Sequence, residues 1–120
     1  MGTWGSGPFS NDHALDWLAT NVTQPIVAEI DGFATMADPA LEIDLPIAYA
    51  ALGTLNVLQK ANVVPPKEEQ IDRWKEAFFR CYDEQIDAVA GAETPFAKEW
   101  RAAIEEEFGK LSAWSQRFYT

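Results

Sequence analysis

The first 59 residues of this chain contain no lysine and no arginine. Seven acids stand there without a base: Asp12, Asp16, Glu29, Asp31, Asp38, Glu42 and Asp44. Such a surface repels phosphate backbones, which speaks against a nucleic-acid partner. Cysteine is almost absent. Cys81 alone excludes an internal disulfide, and the aromatic residues Phe79 and Tyr82 beside it point to a buried thiol in a reducing compartment. The single histidine, His13, is too little for a histidine-built metal centre. Apolar runs fall short of the roughly 20 residues a membrane span needs. No basic stretch followed by an apolar one opens the chain, as a secretory signal would require. Met1-Gly2 with Ser6 formally fits an acylation pattern, but one acyl chain anchors only marginally. The expectation is a cytoplasmic protein with no membrane and no nucleic acid among its partners.

Catalytic signatures are missing as well. There is no P-loop, nucleophile elbow, Cys-x-x-Cys, His-Glu-x-x-His or dinucleotide fingerprint. Cys81 has no histidine near it in sequence to activate it. The reading leans away from an enzyme, and no cofactor is expected.

What is present is a globular composition of 120 residues, 48% hydrophobic, with five Trp, seven Phe and three Tyr. That length is one domain, large enough to bury a core without staples. Helix punctuation recurs. Ser10 or Asn11 can cap a first helix over about 11–21, with Asp12 and Asp16 in its early turns. Thr23 with Pro25 opens a second over 24–36, before Asp38-Pro39 breaks the chain. Asp44 with Pro46 opens a third over 45–62, and Pro65-Pro66 stops it. Glu68 and Glu69 begin a fourth over 67–90, closed by Gly91. Thr94 with Pro95 starts a fifth over 95–118.

The fourth helix places Ile71, Trp74, Phe78, Cys81, Tyr82 and Val89 on one face. The fifth does the same with Phe96, Trp100, Ile104, Phe108, Leu111, Trp114 and Phe118. The third is apolar almost all round, including Ile47, Leu52, Leu55 and Val57, which predicts a place in the middle. The fold class is therefore all-α: a compact single-domain bundle of about five helices preceded by a glycine- and aromatic-bearing arm over 1–10.

The opening Trp4-Gly5-x-Gly7-Pro8-Phe9-x-Asn11-Asp12-x-Ala14-x-Asp16-Trp17 resembles the start of a bacterial family of unknown function, domain-of-unknown-function family 4259. Leu41-Glu42 ahead of the alanine-rich third helix, and Trp100 with Trp114 in the fifth, are similar to its later parts. Ser10 and His13 stand where acids are more often expected in that pattern. The resemblance implies a helical fold and assigns no chemistry.

Four places are candidates for function. Gly5, Ser6 and Gly7 offer backbone N–H groups to an anion, but no base assists them. The competing reading is a tight arm whose Trp4 and Phe9 plug the bundle. Asn11, Asp12, His13 and Asp16 cluster at helical spacing and could form a small-molecule or metal site near the arm, although capping and the helix dipole ask for the same residues. Glu107 and Asn56 are polar residues on otherwise apolar helices. Glu107 is expected to reach the rim or pair with Lys110 or Arg101, and Asn56 to be a satisfied core amide.

The stretch from Glu29 to Asp44 carries the acids Glu29, Asp31, Asp38, Glu42 and Asp44, interleaved with Phe33, Met36, Leu41 and Ile43. It is either a partner-binding surface with electrostatic steering or a solvated loop with its apolar residues turned in. By analogy with small acidic immunity proteins, the leading expectation is a module that neutralises a basic toxin or effector. The alternatives are a small-molecule or metal-binding protein with its site near the arm, and a self-associating structural protein.

Overall fold

In the computed structural model, which describes residues 5–120, the secondary structure is helical throughout, with no strand among the described residues. α1 (Asp12–Leu18) begins where the Asn11 side chain accepts the His13 and Ala14 N–H groups at 2.8 and 3.3 Å. It runs through a π-helical stretch, Ala19–Thr23, directly into α2 (Gln24–Thr35). α3 (Asp44–Val57) continues as a 3-10 turn, Leu58–Ala61, and ends at Asn62 in the left-handed region (φ 59°). α4 (Glu68–Val89) and α5 (Pro95–Phe118) are the long pair. Thr94 caps α5, with Pro95 in its first turn. Gly91, at φ +80°, supplies the left-handed residue that closes α4.

The first two predicted helices are thus one rod, and the chain has four helical rods rather than five among the described residues. Thr23 is helical (φ −65°, ψ −49°), not a helix start. Proline in a helix collides with the carbonyl four residues back. Just before Pro25 the hydrogen-bond pattern widens, with the Gln24 N–H reaching Ala19 O five residues back. The wider turn relieves that collision, so the proline interrupts a ladder without ending a rod.

The rods pack in a ring in which α2 neighbours α3 and α4, while α5 neighbours α4 and α3. α3 and α4 lie diagonally opposite, so the segment from Asn62 to Lys67 crosses the end of the bundle, with Pro65 and Pro66 buried. The core runs through Ile30, Leu45, Leu52, Leu55, Ile71 and Ile104. Phe78 sits at its centre, its ring 4.9 Å from Phe33 and 5.0 Å from Phe108, both edge-on. Trp74, one turn before it on α4, is fully buried as well.

α3 is a corner of this ring and not its axis. Leu45, Ala48, Leu52 and Leu55 face inward, but Ile47 is 52% and Val57 72% exposed. The near-uniform apolarity of this helix therefore hides an outward stripe. Val89, Phe96 and Phe118, expected on buried faces, also lie at the surface, each within two residues of an end of its helix. Phe9 is exposed as well and does not plug the bundle, whereas Trp4 lies outside the described residues. Gly5 and Gly7 pass so close to Ser10 that a β-carbon on Gly5 would lie 3.0 Å from its hydroxyl.

Candidate functional site

The acidic stretch is split by the structure into two kinds of residue. Asp31 and Asp44 are half-buried and committed to the fold. Asp31 Oδ1 accepts the Trp74 indole N–H at 2.6 Å, and both its oxygens accept from Gln70 Nε2 at 3.2 Å. The carboxylate thereby pins α2 to α4. Asp44 Oδ2 accepts the Ala40 N–H at 2.7 Å, folding the preceding loop back on the start of α3. Gln85 completes that loop, accepting from the Leu41 N–H and donating to Pro39 O. Asp31 and Asp44 therefore differ from the partner-binding role expected of them by having internal work that a charge change would disrupt.

Glu29, Asp38 and Glu42 are exposed, and no ion pair involves them among the described residues. The apolar residues between them divide in the same way. Phe33 and Leu41 are buried, while Met36 and Ile43 stand out, Ile43 being 65% exposed. A shallow groove of about 190 Å³ lies between α2 and α3, lined by Glu29, Gly32, Phe33, Met36, Asp44 and Ile47. From it the outward stripe of α3 continues along Ile43, Ile47, Ala50, Thr54 and Val57, spaced alternately by four and three residues. The result is an apolar track with acids at one end. Sequence reasoning missed this track because a helix apolar all round carries no periodic signal to mark its outer face.

Asn56 and Glu107 prove to be one site. Asn56 Nδ2 donates to Glu107 O at 2.9 Å and to Glu107 Oε1 at 3.0 Å, while Lys110 Nζ reaches Oε2 at 2.8 Å. The Lys110 hydrogen bond, against the upward push of burial and with help from Asn56, holds the Glu107 carboxyl below its ordinary range. Lys110 is raised correspondingly, first by its hydrogen bond to Glu107. Because Glu107 is depressed in the folded state, its contribution is complete above the unfolded carboxyl pKa and is lost as pH falls through the folded value. Urea denaturation between neutral and acidic pH is therefore expected to show a smaller acid loss in Glu107→Gln than in the parent. Parallel pH profiles would show that this network contributes no pH-linked stability.

The remaining candidates are quieter. Asp12 and His13 are exposed at the helix start, with Asn11 spent on the cap. Asp16, one helical turn on from Asp12 and His13, is on the wall of a cavity between the rod and residues 62–66. No group of three or more metal-ligating side chains occurs among the described residues. Trp17, from the opening motif, is largely exposed. Cys81 is buried, and burial first, then the carboxylates of Glu84 and Asp44, push its thiol up to about 11. A thiol protonated at neutral pH, donating to Pro39 O, is a packing residue rather than a nucleophile.

Fold and surface together define an all-helical domain with an exposed apolar track on α3 that has acids at one end. The chain belongs to the family described as Domain of unknown function (DUF4259), whose model matches residues 2–116. Neither a search of curated proteins nor one of solved structures finds a match. No helix among the described residues is long and apolar enough to cross a membrane.

Proposed function

We propose that this chain is an acidic protein-binding module that neutralises a basic partner, in the manner of a cytoplasmic immunity protein acting on a toxin or effector. One observation carries the reading. Met36, Ile43 and Ile47 stand exposed beside Glu29, Asp38 and Glu42, and no lysine or arginine occurs before Lys60. Apolar anchors inside a rim of one charge sign suit a partner of the other sign: the acids speed encounter, and the anchors hold the complex. The same charge opposes self-association through this face, since two copies would bring like charges together.

Two variants separate these roles. Glu29→Lys with Asp38→Lys and Glu42→Lys leaves Asp31 and Asp44 in place, so the bundle keeps its internal bonds. A pull-down from native lysate at low salt is expected to retain one basic protein on the parent and to lose it on the triple variant. With that protein purified, the triple variant is expected to slow association, and Ile43→Ser with Ile47→Ser to speed dissociation. Retention of the same proteins by parent and triple variant would overturn the assignment, as would retention of none.

A further inference from the structure

A second concavity lies on a different part of the rod. Its volume is about 600 Å³, within the range of small-molecule sites, and it runs between the rod and the crossing segment 62–66. Its origin is structural. Leu18 is the one buried residue of α1, the π-helical turn widens the rod, and Ala19 and Ala28 offer only methyl groups to the wall. The crossing segment, turned by Asn62 and stiffened by Pro65-Pro66, cannot fill the space.

The wall is mainly apolar, with Leu15, Val27 and Val63 among its residues. It takes in the rod from Leu15 to Asp31, a stretch of roughly 24 Å at about 1.5 Å of rise per residue. A carboxylate stands towards each end of that stretch, Asp16 and Asp31. No lysine, arginine or histidine lines the trough, and neither acid has an ion pair among the described residues. Asp31 is oriented by the Trp74 indole and the Gln70 amide, both neutral donors, so it is fixed in place without being neutralised. Thr23, also in the wall, is 8% exposed, and its hydroxyl has no hydrogen-bond partner among the described residues.

An elongated apolar surface with an anionic group towards each end is complementary to a long apolar ligand that carries a cationic group at each end. Nucleotides, fatty acids and free amino acids all bring an anionic group that these acids would repel. A linear chain of methylenes ending in ammonium groups matches apolar wall and carboxylates together. We propose that this trough binds a linear aliphatic diamine or polyamine, with its methylenes along Leu15, Val27 and Val63 and its terminal ammonium groups at Asp16 and Asp31. This site is separate from the acidic track and does not depend on the protein-partner reading.

Isothermal titration of the full chain with dodecanediamine tests it, with butanediamine as a control of equal charge that is too short to reach both acids. The expected result is saturable one-to-one binding of the long diamine, with the short one weaker by more than about tenfold, since it gives up one charge-assisted contact and eight methylenes of apolar contact. Asp16→Asn, which removes one end, and Ala28→Trp, which fills the trough, are each expected to weaken the long diamine by about tenfold. Glu99→Gln, exposed on α5 away from the trough, is expected to leave it unchanged. Equal binding of the two diamines, or equal losses in Asp16→Asn and Glu99→Gln, would overturn the site in favour of general attraction to an acidic protein. Absence of binding would overturn it outright. If circular dichroism shows Ala28→Trp misfolded, Asp16→Asn and the length comparison decide.

Discussion

Phe78→Ala is expected to cost about 3–5 kcal/mol of folding stability, a large share of the roughly 5–15 kcal/mol that holds an ordinary domain together. Phe78 is fully buried, and its ring is the middle member of the Phe33–Phe78–Phe108 series that joins α2, α4 and α5. Truncation removes the ring's transfer energy and leaves a cavity that three rods would have to close by moving together. Urea denaturation is the measurement: the midpoint falls while the slope stays, as for a two-state loss of stability. Phe78→Leu keeps most of the volume and is expected to lose less than half as much. A Phe78→Ala loss below about 1 kcal/mol would mean that this part of the core is plastic and that the aromatic series is not its keystone.

Asp31→Ala is the second large effect, and it changes stability rather than partner affinity. The substitution strands the indole N–H of the fully buried Trp74 and frees the Gln70 amide. A buried donor that loses a charged acceptor costs about 2–3 kcal/mol. Asp31→Asn keeps an acceptor oxygen and is expected to cost less. The decisive measurement is a double-mutant cycle with Trp74→Phe. If the bond is what matters, Asp31→Ala becomes much milder once the indole is gone, with a coupling of about 1 kcal/mol or more. Additive losses would assign the effect to something other than this bond. The result also governs how the acidic surface is probed, because reversing the charge at Asp31 would confound unfolding with loss of a partner.

Much of the fold is legible in local chemistry. Asn11 and Thr94 act through side-chain caps on the next turn, and Pro95, Pro65-Pro66 and Gly91 through their own backbone, so the boundaries they mark lie close to where the sequence places them. Pro25 misleads for the converse reason: whether a proline ends a helix depends on the hydrogen-bond register of the preceding turn, and residue identities do not declare a π-helical turn. Amphipathic α4 shows its buried face directly. α3 does not, since a helix apolar on every side has no contrast to read, and only the placement of its neighbours decides that Ile47 and Val57 face outward. The acidic stretch was legible as charge but not as geometry. Asp31 and Glu29 look alike in sequence, and the distinction between pin and free carboxylate rests on Trp74 and Gln70, which belong to another rod. Asn56 and Glu107, which are 51 residues apart, are odd separately and ordinary together. The trough between the rod and residues 62–66 has no sequence signature, being made where a widened turn meets a crossing segment.

The diagonal crossing from α3 to α4 divides the molecule into two helical hairpins, one ahead of Asn62 and one behind Lys67. The first holds acids and, apart from Lys60, no base, while the second is mixed but still acidic on balance. No ion pair joins them among the described residues, and their cohesion rests on apolar contact and on bonds such as Trp74 to Asp31 and Asn56 to Glu107. Two anionic hairpins joined in this way resist each other slightly at low ionic strength. Added salt screens that internal repulsion and, by the same screening, would dull the attraction of the basic partner proposed above. One excess of charge therefore couples firmness within to reluctance without: the ionic conditions that tighten the domain are those that slow its encounters.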